Sequence, residues 1–213
     1  MSARDEILAR IQRSFAALPR TSEEGHAAIP RDYVSAGTLT LEARLDLFEE
    51  RLRDYGTEVF RCAAAEAPAT ITAAMKSAGV SRLIASASIP AEWLPSLGGV
   101  SFVRDERLSY DDLDHSEGVL TGCAAAIALT GTVILRHPRD GRRAVTLIPD
   151  YHLCVVRHTQ VFENVPEAIR SIESPGRFPL TTVSGPSATS DIEMMRIQGV
   201  HGPRRLAVIL IPG

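Results

Sequence analysis

The chain has 213 residues, 45% of them hydrophobic, and a formal net charge of −3. That suits one compact α/β domain, or one domain with an added arm, and excludes a largely disordered polypeptide. With no basic excess and only 5% aromatic residues, nothing in the composition draws the chain to nucleic acid or to an anionic lipid surface.

Ser2 to Leu18 places Ile7, Leu8, Ile11, Phe15 and Leu18 on one stripe, the pattern of a charged amphipathic helix rather than of a secretory leader. Pro19 to about Leu39 is polar and turn-rich. Residues 1–38 therefore read as a helix and linker, an arm for the body or for another subunit, and residues 39–213 as the α/β domain. Thr40 to Tyr55 repeats Leu41, Leu45, Phe48 and Leu52 at helical spacing and stops at Gly56. Next come the strand TEVFRC, the helix PATITAAMKSAG, the strand SRLIAS and the short helix IPAEWLPSLG. This alternation predicts parallel strands with helices on both faces. After it, strand-like stretches follow one another: GVLTGC, AIALTGTVILRH, RAVTLIPD and HLCVVRH. Asp140-Gly141 between two apolar runs is a hairpin signal, so an antiparallel element is expected to extend the sheet. VPEAIRSI reads as a helix, and LTTVSG and RLAVILI as strands on either side of a further helix, about Asp191 to Gln198. The expected fold is a three-layer α/β/α arrangement, its sheet mostly parallel with an antiparallel extension. No apolar run reaches the ~20 residues that a membrane-crossing helix needs.

Chemistry concentrates in two blocks. In the first, Gly185 to Thr189 is a run of small residues, and Ser190 with Glu193 matches a capping box. A tight loop entering a helix leaves amides free for an anion, with Ser187, Thr189 and Ser190 as added hydroxyl donors. Plain capping explains the same residues, and caps far outnumber ligand sites, so the local pattern alone favours it. Asp191 is a candidate general base, or only a first-turn acid favoured by the helix dipole. His201, set between glycines, can reach a cleft, and imidazole suits proton transfer near neutral pH. Arg204 and Arg205 could clamp a carboxylate or phosphate, or form an ordinary surface pair. The second block is Thr130-Gly131-Thr132, which breaks an apolar run. It marks either a bend closely approached by a ligand or a bulge whose threonines satisfy their own backbone.

The remaining candidates carry less. Asp111, Asp112, Asp114, His115 and Glu117 form an acidic patch without a calcium-loop template. His152 and His158 fall on one face of a regular strand, but no third ligand accompanies them. Cys62, Cys123 and Cys154 are widely spaced, with no C-x-x-C, so neither a metal nor an iron–sulfur site is expected in this chain. Cys123, among alanines, reads as a small core residue. An odd cysteine count without a leader fits a reducing compartment and a cytoplasmic protein.

Three blocks in order, AIALTGTVIL, TLIPDYHLCVV and SGPSATSDIEMMRIQGVHGPRRLAVILI, resemble the LUD-domain family, the lactate utilization protein C group. The resemblance covers about the second half of the chain. It implies a fold like that of ribose-5-phosphate isomerase, glucosamine-6-phosphate deaminase and the CoA transferases. It also implies a part in oxidising L-lactate to pyruvate beside partner subunits that hold iron–sulfur clusters, with no cofactor in this chain. In the family's pattern an acidic residue commonly precedes T-G-T; Leu129 stands there in this sequence, which removes the natural carboxylate for acid–base or covalent work.

The expected function is thus an accessory component of a cytoplasmic L-lactate utilization system. Its predicted ligand residues are Thr130, Gly131, Thr132, Gly185, Ser187, Thr189, Ser190 and Arg204, with Asp191 and His201 as catalytic candidates and a small anion as ligand. The rivals are an independent enzyme on a small phosphorylated or carboxylated metabolite, isomerase- or CoA-transferase-like, and a non-catalytic interaction module. The sequence leaves room for a homo-oligomer.

Overall fold

A computed structural model describes residues 2–16, 29–94, 99–172, 178–186, 188–189, 197–199 and 201–213. The protein falls into two units, Met1–Tyr33 and Val34–Gly213. In the first, helix α1 (Ala3–Ala16) opens where Ser2 and Asp5 exchange hydrogen bonds, the Ser2 amide to Asp5 Oδ2 at 3.0 Å and the Asp5 amide to Ser2 Oγ at 3.3 Å.

In the second unit, α2 (Leu41–Asp54) starts at Thr40, whose hydroxyl accepts from the Ala43 amide at 3.3 Å. Leu45, Phe48 and Leu52 bury one face of it, and Gly56, at φ 78°, releases the chain into β1 (Glu58–Arg61). α3 (Ala67–Ser77) carries Pro68 in its first turn and buries Ala67, Ile71, Ala74 and Met75. Then come β2 (Arg82–Ala85), β3 (Ser101–Arg104), α4 (Tyr110–Asp114), β4 (Val119–Thr121), β5 (Ala125–Ile127), β6 (Thr132–Arg136), β7 (Tyr151–Arg157), β8 (Val161–Phe162) and α5 (Val165–Ser171). β9 (Leu180–Val183), β10 (Ala188–Thr189), β11 (Ile197–Gln198) and β12 (Arg205–Ile211) complete the order.

Six strands form one sheet in the order β1-β12-β7-β4-β2-β3, every neighbouring pair parallel. β12 is buried from Leu206 to Ile211 because alternate residues serve opposite faces. Leu206, Val208 and Leu210 pack with Phe48 and Leu52 of α2 and with Val133 and Leu135 of β6. Ala207, Ile209 and Ile211 pack with Ile71 and Met75 of α3. Each such large side chain fully withdrawn from water contributes about 1.5–3 kcal/mol, which makes this strand the spine of the domain. The fold is α/β with a mostly parallel sheet flanked by helices, as the alternation predicts.

The antiparallel part is a sheet of its own, ordered β8-β5-β6-β9, whose second face is covered by Ala168 and Ile169 of α5. AIALTGTVILRH, expected as a strand-like run with a break, is two strands, β5 and β6, paired antiparallel with Thr130 and Gly131 in the turn. Two expectations fail nearby. RAVTLIPD is a 3-10 turn over Arg143–Thr146 rather than a strand, because Ala144, Val145 and Ile148 all face the cluster of Ile84, Leu113 and Val119, a helical rather than alternating spacing. Asp140-Gly141 therefore closes no hairpin. Asp140 instead curls back on Arg136, giving its amide to the carbonyl at 2.9 Å and accepting the Arg136 amide on Oδ2 at 2.8 Å.

The expected helix from Asp191 to Gln198 is corrected at its end. Ile197 and Gln198 form β11, which pairs antiparallel with Ala188 and Thr189 of β10. Ser190 and Glu193, the proposed capping box, lie outside the described residues.

Candidate functional site

Strand β9 is held on β6 with Val183 opposite Val133. Beyond it Ser184 Oγ lies 2.7 Å from Thr132 Oγ1, which lies 2.7 Å from Thr130 Oγ1, so the T-G-T turn is joined by hydroxyls to the start of the small-residue loop. Gly131, at φ 57°, packs against α2: a Cβ there would stand 2.9 Å from Arg51 Cβ and 3.1 Å from its carbonyl oxygen. Its glycine serves the helix contact. Gly185, at φ 80°, is pressed likewise on Tyr55, where a Cβ would come within 2.5 Å of the tyrosine Cβ.

Between β9 and the sheet face of β7 and β12 lies a cavity of about 220 Å³. Thr181 to Pro186 form one wall and His201, Gly202 and Pro203 another. His152 and Leu206 close it from the parallel sheet, and Arg143 and Thr146 from the 3-10 turn. His152 and Leu206 are each the second residue of their strand, so the cavity sits at the amino ends of β7 and β12. That end is opposite to the one where open α/β sheets usually hold ligands.

His152 is 1% exposed, with Nε2 2.8 Å from Thr121 Oγ1. Burial pushes its pKa down to about 4, so at neutral pH it is an uncharged imidazole and a weak base. His137 supports the opposite wall. Its Nε2 lies 2.7 Å from Thr181 Oγ1, and its Nδ1 bonds the Gly141 carbonyl, which can only accept, so Nδ1 carries a proton. Arg143 is exposed and is the guanidinium of the lining; His201 is exposed at the rim. Among the described residues the cavity offers hydroxyls, two imidazoles and one guanidinium, a set that suits a small polar anion.

Of the predicted site residues, Gly185 and His201 meet in this cavity, and Thr132 reaches it through Ser184. Arg204 does not: its Nη1 lies 3.4 Å from Asp150 Oδ2, in a separate groove with Ser116 and Glu117. Ser187, Ser190 and Asp191 lie outside the described residues, and of Thr189 only the backbone is described. Reasoning from sequence missed Arg143, Thr146 and the role of His152 as a wall, since these come from segments far apart in the chain. His158 is not on the strand with His152 but in the 3-10 turn after it. The acidic patch is spent on local structure: Asp112 accepts from the Ser109 amide and hydroxyl, and Glu117 Oε1 from the Ser81 hydroxyl at 2.9 Å. Among the described residues no group of three or more His, Cys, Asp or Glu could hold a metal ion. Cys123 is buried, and the adjoining Cys154 together with burial pushes its thiol up, as befits a core residue.

The LUD domain family model matches residues 45–211, from within α2 to the end of β12, and includes every wall of the cavity. The chain belongs to the LUD domain family. A Deinococcus radiodurans protein named lactate utilization protein C is 50% identical over 171 residues, 78% of this chain and 79% of the relative. A protein of the same name from Shouchella clausii is 30% identical over 113 residues, 51% of this chain and 49% of that one. A crystal structure of a DUF162 family protein from Deinococcus radiodurans superposes with a TM-score of 0.70 at 44% identity, covering 82% of this chain and 99% of that chain. Leu129, the residue before Thr130-Gly131-Thr132, is 50% exposed at the β5–β6 turn, its amide bonded to the Glu163 carbonyl at 3.1 Å. No helix among the described residues is long and apolar enough to cross a membrane.

Proposed function

We propose that the protein is an accessory component of a cytoplasmic lactate utilization system, working in the oxidation of L-lactate to pyruvate beside partner subunits that carry iron–sulfur clusters. The observation that carries this reading is the 50% identity, over 78% of this chain and 79% of the relative, to the Deinococcus radiodurans lactate utilization protein C. The oxidation releases two electrons and two protons per lactate; the electrons pass to the partners' clusters.

The chemistry of the cavity supports a small hydroxy acid as its occupant. Arg143 faces the carboxylate, and the hydroxyl of Thr181, on the face of β9 turned to the parallel sheet, hydrogen-bonds a remaining oxygen. His201 at the rim is the proton acceptor. Thr132 and Thr130 are positioning residues that act through Ser184. Gly185 keeps the loop close to Tyr55. Asp191 as a second base, with Ser187, Thr189 and Ser190 as anion-holding hydroxyls, rests on the sequence pattern.

The test is genetic and biochemical together. Deleting the gene abolishes growth on L-lactate and lactate oxidation in lysates; the wild-type gene restores both, and Arg143→Ala and His201→Ala do not, although both variants stay folded. The tagged protein co-purifies with iron–sulfur proteins from lactate-grown cells. Undiminished growth of the deletion strain on lactate overturns the assignment.

A further inference from the structure

A second, smaller crevice lies at the carboxyl ends of the parallel strands, away from the cavity at their amino ends. The chain leaving β2 goes to β3 on one side, while the chain leaving β4 goes on, through the antiparallel sheet, to β7 on the other. Neighbouring strands whose connections part in this way leave a gap beyond their carboxyl ends, where open α/β sheets hold ligands. Here the gap is lined by Ser88 and Ile89 after β2, Gly122 and Cys123 after β4, and Val155 and Arg157 of β7. Trp93 and Arg139 complete it, and its volume is about 80 Å³, room for roughly three waters at ~30 Å³ each.

Its walls are fixed before any ligand arrives. Gln160 Nε2 donates to the Cys123 carbonyl at 2.7 Å while Gln160 Oε1 accepts the Arg157 amide at 2.9 Å, tying the end of β7 to that of β4. Ser88 Oγ accepts the Gly122 amide at 3.1 Å, tying β4 to β2. Two guanidiniums border the space. Arg157 lies over Trp93, its central carbon 5.1 Å from the ring centroid, a cation–π contact that draws it to this wall. Arg139 Nε stands 3.8 Å from Asp140 Oδ1, beyond hydrogen-bonding distance, and Asp140 spends its other oxygen on the Arg136 amide. Asp140, fully buried, is thus the ion-pair partner of Arg139, while Arg157 has no carboxylate partner among the described residues.

A guanidinium whose charge is not already paired recognises a planar oxyanion, and Arg157 is in that position, with Arg139, shared with Asp140, beside it. Ile89, Val155 and Trp93 supply an apolar wall beside them, which a short hydrocarbon body fills and inorganic phosphate does not. We propose that this crevice binds the carboxylate of a small aliphatic acid between Arg139 and Arg157, with its carbon chain against Trp93, Ile89 and Val155. The site is independent of the amino-end cavity and of the lactate reading.

Trp93 is the chain's single tryptophan, so its emission reports on this crevice. Sodium propionate is titrated into the full chain at constant ionic strength, with Trp93 emission followed and binding checked by calorimetry. A saturable response is expected in the wild type. Arg157→Gln, a change on an exposed side chain, weakens it several-fold, and Arg139→Gln with Arg157→Gln weakens it at least tenfold while circular dichroism is unchanged. Arg170→Gln, a change on an exposed arginine that lines neither space, keeps the wild-type Trp93 response. The proposal is overturned by the absence of a saturable Trp93 response to propionate, by equal affinity in the double variant, by loss of the response in Arg170→Gln, or by phosphate binding as tightly as propionate.

Discussion

The Nε2 atom of His152 lies 2.8 Å from the hydroxyl of Thr121 across the β7–β4 pair, and both side chains are shut off from solvent. Burial lowers the His152 pKa from 6.5 in the unfolded chain to about 4 in the fold. The unfolded state therefore binds more protons between these values, and stability falls as pH falls through that window. The contribution is fully present above about pH 6.5, and on the order of 2 kcal/mol of it is gone by about pH 5. Urea unfolding at pH 7 and pH 5 should reveal the loss in the wild type and a much smaller one in His152→Gln. Burial also lowers the His158 pKa, which leaves a residual slope in that variant. An imidazole signal for His152 that titrates near 6.5 would refute the assignment.

Gly131→Ala should destabilise the domain by about 1–3 kcal/mol, since it places a side chain at φ 57° and drives its Cβ to 2.9 Å from Arg51 Cβ. Thermal unfolding measures it. If the loss appears only in ligand binding, with the melting temperature unchanged, the glycine serves a ligand rather than α2.

Glu163 Oε2 accepts the Thr38 and Leu39 amides at 2.6 and 2.7 Å, and Glu167 Oε1 accepts the Gly37 amide at 2.8 Å. The Gly37 amide first, with the amides of Asn164 and Glu163, holds the Glu167 carboxyl below its usual range. Glu163→Ala with Glu167→Ala should free the segment before α2, seen as faster limited proteolysis around residues 34–40 with the core still protected. Cleavage at the wild-type rate would mean that other contacts hold it.

Arg61 reaches three carboxylates, Glu49 at 2.6 Å, Asp46 at 2.6 Å and Glu42 at 3.1 Å, and so fastens α2 to β1. All four side chains are partly or largely exposed, so water screens the network. Arg61→Ala should cost about 1 kcal/mol at low salt and less in 0.5 M salt, where ion pairs are screened. A loss that does not shrink with salt would mean that the aliphatic stem of Arg61 matters more than its charge.

Elements whose burial is set by their own periodicity were legible in the sequence. α2, α3 and β12 lie where spacing and stop signals put them, because Phe48, Ile71 or Ile209 faces the core whatever its neighbour. The antiparallel sheet was not legible in that way. Thr130-Gly131 looks like a break within one run until β6 is seen turning back on β5, and residues 143–150 look strand-like until Val145 is seen packing on Leu113. The cavity divided along the same line. Gly185 and His201 stand out by local composition, whereas Arg143, Thr146 and His152 become neighbours only through the topology. Arg204, three residues after His201, is turned away because β12 starts next to it and its guanidinium meets Asp150.

Strand β12 lies between β1 and β7, and one of its two partners, β1, ends at Arg61. On a ribosome adding ~5–20 residues per second, β1 emerges on the order of ten seconds before the strand that pairs with it. Throughout that interval β1 has no strand to pair with, and the apolar stripe of α2 lacks the part of its cover that Leu206, Val208 and Leu210 supply. Folding of this domain is therefore gated by arrival of its spine, and the nascent chain is an early client for chaperones that shield α2 and β1.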